Sequence, residues 1–308
     1  MRLPHREKTM ARLLALLLFV RSVAARDCYA TIVYGSEPKH VCTAAVLGRA
    51  LRWLDPWKAR VALVSNVAPN ASAVLREEYE LAPAKWRGDA GRKADLFNGP
   101  AGCDRVIYLD ADCMPLSSWA RIENVWKQLE GGAAVVATRQ GRTYENYKHY
   151  DGCFNGGFLA VKRNERVHRR YVQYTKTFTR QRGAWSRVDP RQRIGTKSIP
   201  CHGTDQGFLN LAVKEDWAVA NFSVHFAATC LASTTDVVHA GRGGLKALLA
   251  HGPTTLPRGP VGGPAPPGSP GPISGPGPGG TLDWCRLWWD TFAALPEPTR
   301  AFCSDTFR

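Results

Sequence analysis

The sequence has no CxxC pair, no apolar run long enough to cross a bilayer and no internal repeat. The first absence removes the usual zinc-ribbon and thioredoxin-like readings, the second a polytopic membrane protein, and the third a solenoid or propeller. It also lacks a zinc-finger or RNA-recognition signature and any basic stripe with regular aromatics, so a nucleic-acid binder would rest on net charge alone. What is present describes an ordinary folded chain. Of its 308 residues 44% are hydrophobic and 22% charged, within the globular range. The length suits one α/β domain of roughly 200–250 residues with appendages. Lys+Arg 41 against Asp+Glu 26 gives a net charge of +15. That balance favours anionic partners such as nucleotide diphosphates or acidic glycans, although most of the individual charges read as solvated surface.

Arg2, Arg6 and Lys8 precede a short apolar stretch, Ala11 to Val20, followed by the small residues Ser22-Val23-Ala24-Ala25. This pattern predicts a signal peptide over 1–25 or, failing cleavage, a short signal anchor. Nine scattered cysteines fit a secretory compartment. Their odd number leaves at least one thiol free or paired between chains, and spacing does not define the connectivity. Asn70-Ala71-Ser72 and Asn221-Phe222-Ser223 are sequons available to a lumenal chain.

Beyond the signal, strands and helices alternate. Strands are predicted at Tyr29–Tyr34, Arg60–Val64, Arg105–Leu109, Ala133–Thr138, Gly157–Val161 and Val237–His239. Helices are predicted at Val41–Leu54, from a cap at Asn70 to about Leu81, at Trp119–Glu130, Glu165–Phe178 and Asp205–Val213. The alternation implies a parallel or mixed sheet with helices on both faces. The Gly/Pro-dominated segment 252–281 has almost nothing apolar to bury and no strict every-third glycine, which fits a flexible tether rather than collagen. Leu282–Leu295 is Trp-rich and amphipathic, and it is expected to dock on the core. The organisation is therefore a catalytic domain over 26–251, an insert over 252–281 and a helical segment over 282–308.

The chemistry concentrates at Val106-Ile107-Tyr108-Leu109-Asp110-Ala111-Asp112, where two carboxylates leave the end of an apolar strand. In an extended segment residues i and i+2 share a side. Oxygen ligands of this kind suit Mg²⁺ or Mn²⁺ bridging phosphates. Val237-Val238-His239 adds an imidazole, and Gly241, Gly243, Gly244 and Lys246 follow it as a phosphate-approaching run. Phe154-Asn155-Gly156-Gly157-Phe158 and Gly203-Thr204-Asp205-Gln206-Gly207 read as two further polar turns.

Taken in chain order (the acidic pair at 110–112, FNGG at 154–157, GTDQGFLN at 203–210, then VVH with its glycine-lysine run), the four elements resemble glycosyltransferase family 8, the group containing glycogenin and galactinol synthase. The resemblance runs from about Tyr29 to Lys246 and resumes at Leu287-Trp288-Trp289-Asp290-Thr291-Phe292. It implies a single Rossmann-like nucleotide-sugar-binding domain of GT-A type with a mixed, mainly parallel sheet. It also implies retaining hexosyl transfer from a UDP-sugar, with Mn²⁺ or Mg²⁺, to a glycan, polyol or glycoprotein acceptor in the secretory pathway. No nucleic acid is expected, and a membrane only if the N-terminal segment stays as an anchor. By resemblance Asp110, Asp112 and His239 are the metal ligands, and Ala111 lies between the two acids. Lys93 binds the donor, Asn155, Gly156 and Gly157 touch the sugar, and Asp205 and Gln206 flank the anomeric carbon. Gly243 and Lys246 hold the diphosphate, while Ile32, Val33 and Tyr34 lie where the family binds the nucleobase. Ala247-Leu248 stand where the family has Pro-Trp, and the spacing from His239 to Lys246 follows the galactinol synthase pattern. Two other classes share parts of this pattern: a non-catalytic carbohydrate binder on the same fold, and a nucleotidyltransferase.

Overall fold

The structure is a computed structural model, described here for residues 25–35, 37–85, 89–116, 121–139, 153–182, 193–194, 197–198, 204–214, 216–220, 224–226, 231–233, 237–240, 248, 281–304 and 306. The expected signal peptide and nearly all of the Gly/Pro-rich insert lie outside these residues, as do Gly243 and Lys246.

The chain enters with β1 (Asp27–Tyr34), whose interior is wholly buried. α1 (Pro38–Leu54) follows, starting at a proline whose missing N–H costs nothing in the first turn. β2 (Ala59–Ser65), α2 (Pro69–Arg76) and β3 (Glu80–Pro83) complete a first βαβαβ run. α2 departs from the expectation. Its N-cap is Ala68 with Pro69 in the first turn, and the chain leaves the helix before Glu77 and Glu78, so that Leu81 lies in β3. Tertiary contacts account for the early exit. The Glu78 carboxylate is buried, with Arg49 at 2.6 Å and Arg52 at 3.3 Å, and the Tyr79 hydroxyl donates to the Ala44 carbonyl at 2.7 Å.

Two 3-10 segments, Asp89–Asn98 and Pro100–Gly102, lead to β4 (Arg105–Leu109) and the short β5 (Cys113–Pro115). Next come α3 (Ile122–Glu130), β6 (Val135–Arg139) and β7 (Phe154–Lys162). Phe154-Asn155-Gly156 is therefore strand rather than turn, and the strand expected from Gly157 starts three residues earlier. α4 (Glu165–Arg182), two-residue strands β8 (Arg193–Ile194) and β9 (Lys197–Ser198), and α5 (Thr204–Val213) follow. Asp205 and Gln206 thus occupy the first turn of a helix. The chain continues through β10 (Trp217–Val219), β11 (Val224–Phe226), β12 (Leu231–Ser233) and β13 (Val237–His239). β14 (Thr281–Asp283), α6 (Trp284–Ala293) and α7 (Glu297–Ser304) end the described chain.

Seven strands make one sheet in the order β10-β6-β7-β4-β1-β2-β3. Every neighbouring pair is parallel except the two involving β7, which runs antiparallel to β4 and β6. Such a sheet needs cover on both faces, and its strands accordingly carry near-continuous apolar runs. A second sheet has the order β11-β13-β5, its β5 following β4 in the chain after the Asp110–Asp112 turn. α6 buries Trp284, Leu287, Trp288, Trp289 and Phe292 in a cluster shared with Val41, Val46 and Met114. Leu248 lies in the same cluster and is fully buried. Disulfides join Cys28 to Cys103 and Cys42 to Cys303, cross-links of the kind kept in oxidising compartments. Cys153 and Cys285 are also oxidised, and Cys113 is a buried free thiol. No helix among the described residues is long and apolar enough to cross a membrane.

Candidate active site

The carboxyl end of β4 runs into a turn, in which the Cys113 N–H donates to the Asp110 carbonyl at 2.9 Å. Asp110 and Asp112 therefore reach a common side through a turn, not through strand alternation as the spacing predicts. What gathers them is β13. It pairs antiparallel with β5 so that His239 lies opposite Cys113, and the Ala240 N–H donates to the Asp112 carbonyl at 3.0 Å. This register sets His239 Nε2 3.2 Å from Asp112 Oδ1 and 3.8 Å from Asp110 Oδ2.

Gly157 makes that approach possible. A Cβ there would lie 2.6 Å from His239 Cε1 and Nδ1, closer than any side chain tolerates. Its own N–H donates to Asn155 Oδ1 at 2.7 Å, and its carbonyl accepts from the Asp110 N–H at 2.9 Å. At Gly156 a Cβ would stand 3.2 Å from Lys93 Nζ. The glycine pair thus leaves room for an imidazole and an ammonium instead of bending the chain.

Lys93 is buried, and its ammonium donates to the Gly156 carbonyl at 2.7 Å. It sits 3.1 Å from Asp110 Oδ1 and 2.9 Å from Asp205 Oδ2, over the Tyr108 ring. Burial alone would lower its pKa, but the two carboxylates outweigh it and hold the ammonium far above the ordinary lysine value. The Tyr108 hydroxyl donates to Asp110 Oδ1, and burial beside that carboxylate keeps the phenol protonated. Burial would raise the Asp112 carboxyl, but His239 holds it low. Burial would likewise lower His239, but Asp112 and then Asp110 raise it.

Gln206 fastens α5 to β7, its Oε1 accepting from the Gly156 N–H at 3.3 Å and from Asn155 Nδ2 at 3.5 Å. One turn on, Asn210 accepts from the Phe154 N–H and donates to the Phe154 carbonyl, both at 3.0 Å. Its Nδ2 also donates to the Gln206 carbonyl at 2.9 Å. The Tyr171 hydroxyl donates to the Asp205 carbonyl at 3.1 Å. The sequence reading missed Asn210. Its signal was an amide between Leu209 and Leu211, four residues from Gln206 and hence on the same helical face.

A cleft of about 370 Å³ opens over Lys93, Asp110, Asp112 and Asp205. Ile32, Tyr34 and Ala111 line it. Glu37, His40 and Thr43 from the start of α1 line it too, which no motif foretold. Asn155, Gly156, Gly157 and Gln206 are brought against it through Lys93 and His239. The described residues do not include Gly243 or Lys246.

Asp112, Cys113 and His239 each offer one ligand atom, all within 4.8 Å of one another, so a metal-sized group of donors exists. Burial pushes the Cys113 thiol well up, and its S–H donates to the Gly157 carbonyl at 3.5 Å. A protonated thiol engaged in this way leaves oxygen and nitrogen as the available donors.

No family model and no curated protein matches the chain. Solved structures do. The galactosyltransferase LgtC, crystallised with donor and acceptor sugar analogues, aligns with a TM-score of 0.56 at 14% identity, covering 90% of this chain and 99% of that one. An active-site mutant of LgtC aligns with a TM-score of 0.54 at 14% identity and the same coverage. At such identities the likeness is one of architecture. Its seven-stranded mixed, mainly parallel sheet gives the chain the GT-A fold of these glycosyltransferases.

Proposed function

We propose that this chain is a metal-dependent, retaining glycosyltransferase of family 8 type. It would move a hexosyl group from a UDP-sugar to a hydroxyl of a glycan, polyol or glycoprotein in the secretory pathway. The observation that carries the reading is the convergence of Asp110 and Asp112 on His239 at the carboxyl end of β4, where open α/β sheets bind ligands. Two carboxylates and an imidazole fit Mn²⁺ or Mg²⁺. Bound there, the cation would neutralise charge on the diphosphate leaving group.

The chain's own residues divide the remaining work. Ile32 and Tyr34 would flank the base of the donor, and Gly243 and Lys246 would hold its diphosphate. Lys93 would hold Asp110 and Asp205 in place through its two ion pairs. Asp205, at the cleft, would stabilise positive charge on the anomeric carbon, and Gln206 and Asn155 would set its position. The bond from that carbon to the phosphate oxygen breaks with its electron pair on the diphosphate. The acceptor oxygen forms the new bond on the same face, and its proton passes to the diphosphate.

Screening UDP-sugars with Mn²⁺ for UDP release tests the reading. Chelation should abolish release and Mn²⁺ should restore it, and Asp112→Asn should lower it by on the order of a hundredfold. Pyrophosphate as the product would instead identify a nucleotidyltransferase, and donor binding without turnover a carbohydrate-binding protein. Unchanged turnover in Asp205→Asn would remove that residue from the mechanism.

A further inference from the structure

The opposite end of the sheet carries a second cleft, of about 880 Å³, which the proposed chemistry does not use. It lies where β1 and β4 begin, at Asp27 and Arg105, between the turn after α1 and the face of α3. The donor cleft lies where those strands end. A strand the length of β1 puts the two roughly 20 Å apart.

Three features of the cleft point to a ligand. Trp57, on the turn, is 93% exposed, and Trp57 and Val219 are the exposed large hydrophobics among the described residues. An exposed indole on a concave surface offers a flat apolar face on which a ligand can stack. Trp126 lines the same cleft and is only 6% exposed, its ring forming part of the wall beneath Lys58 and Arg105. The third feature is charge. Asp27 is paired with Lys58 at 2.7 Å and with Arg105 at 2.6 Å, and Arg105 also reaches Glu130. Glu123 and Lys127, on α3, and Asp55, which accepts from the Tyr29 hydroxyl, complete the polar wall. Four carboxylates thus meet three cations, in a molecule whose net charge is +15.

The chemistry selects among ligands. An excess of carboxylate disfavours phosphate or sulfate groups. One isolated exposed tryptophan is too little apolar surface for a stable protein contact. A neutral sugar chain matches both parts, with its C–H face for the indole and its hydroxyls for carboxylates and ammonium groups. We propose that this cleft binds a neutral oligosaccharide, with Trp57 as its stacking platform, independently of the donor site. If the proposed transfer reaction holds, the cleft would retain a long glycan acceptor while its end is extended elsewhere.

Calorimetric titration of the whole chain with cellohexaose, xylohexaose and maltoheptaose tests this. At least one should bind. Trp57→Ala should weaken that binding by about tenfold or more, and Trp57→Phe by less. Saturating UDP with Mn²⁺ should not displace the oligosaccharide. Because Trp57 is exposed, its variants should melt like the wild type. No binding by any of the three, equal binding by Trp57→Ala, or displacement by UDP would each overturn the proposal. So would self-association in sedimentation velocity that Trp57→Ala abolishes, since Trp57 would then serve a protein contact. Failure to find sugar transfer leaves this test unaffected, because it reads binding alone.

Discussion

His239 has two possible partners for its nitrogen, a proton and a cation, and they respond to pH in opposite ways. Burial alone would lower the folded imidazole's pKa, but Asp112 and Asp110 raise it above the ordinary value. The folded state then holds the proton more tightly than the unfolded chain. The resulting stabilisation is complete below about pH 6.5 and is lost as pH rises through the folded value. In chelator, the melting-temperature advantage of the wild type over His239→Gln should therefore shrink between about pH 6 and pH 8. With Mn²⁺ the added stabilisation should grow over the same interval, since the cation must displace the proton. Thermal melts at each pH in the two media measure both trends, and a gap that does not change with pH would contradict the pairing. The residues of this site differed in how readable they were. Asp110 and Asp112 stood out because an apolar strand led straight to them. Lys93 needed the family resemblance, since a lysine in a polar stretch has no local mark. Glu37, His40 and Thr43 had none either, because their place at the cleft depends on how α1 docks.

Among the elements, the joint between α5 and β7 fixes Gly156, whose carbonyl holds the Lys93 ammonium beside the cleft. Asn210 meets both the N–H and the carbonyl of Phe154, the strand residue beside Asn155. Asn210→Ala would leave those backbone groups buried and unpaired, at a cost of roughly 1–3 kcal/mol. Urea unfolding should show the midpoint falling with the slope unchanged, and UDP release should fall with it because Asn155 and Gln206 lose their support. Local pattern predicted most elements correctly: Arg105–Leu109 and Val237–His239 are strands at their predicted bounds. It failed where tertiary contacts overrode it. Two consecutive glycines within FNGG carry a turn signal, yet the strand expected from Gly157 already includes Phe154, Asn155 and Gly156, and the two glycines are kept small by Lys93 and His239. Helical pattern beyond Arg76 gave way to the buried Glu78 and Tyr79.

For the molecule as a whole, the C-terminal helices are tied to the first. Cys42 on α1 and Cys303 on α7 are 261 residues apart in sequence, and their bond closes nearly the entire chain. Replacing both with serine should lower stability by roughly 2–5 kcal/mol, measured as a drop in unfolding midpoint under non-reducing conditions. The Trp-rich face of α6 packs in the same cluster, so loosening this end should also expose tryptophan, visible as a red shift in fluorescence. If the double variant unfolded with the wild type, the bond would be redundant with that packing.

By itself the sequence determined the alternation of strand and helix, the acidic pair at the end of an apolar strand, and the amphipathic Trp-rich helix. Each of these is written in residue spacing over a turn or a strand. Only the tertiary structure decided that β13 lies against β5, that Lys93 bridges Asp110 and Asp205, which cysteines pair, and that a second cleft forms beneath Trp57. Those outcomes join residues distant along the chain. They follow from close packing of whole elements around shared cores, which no local period encodes.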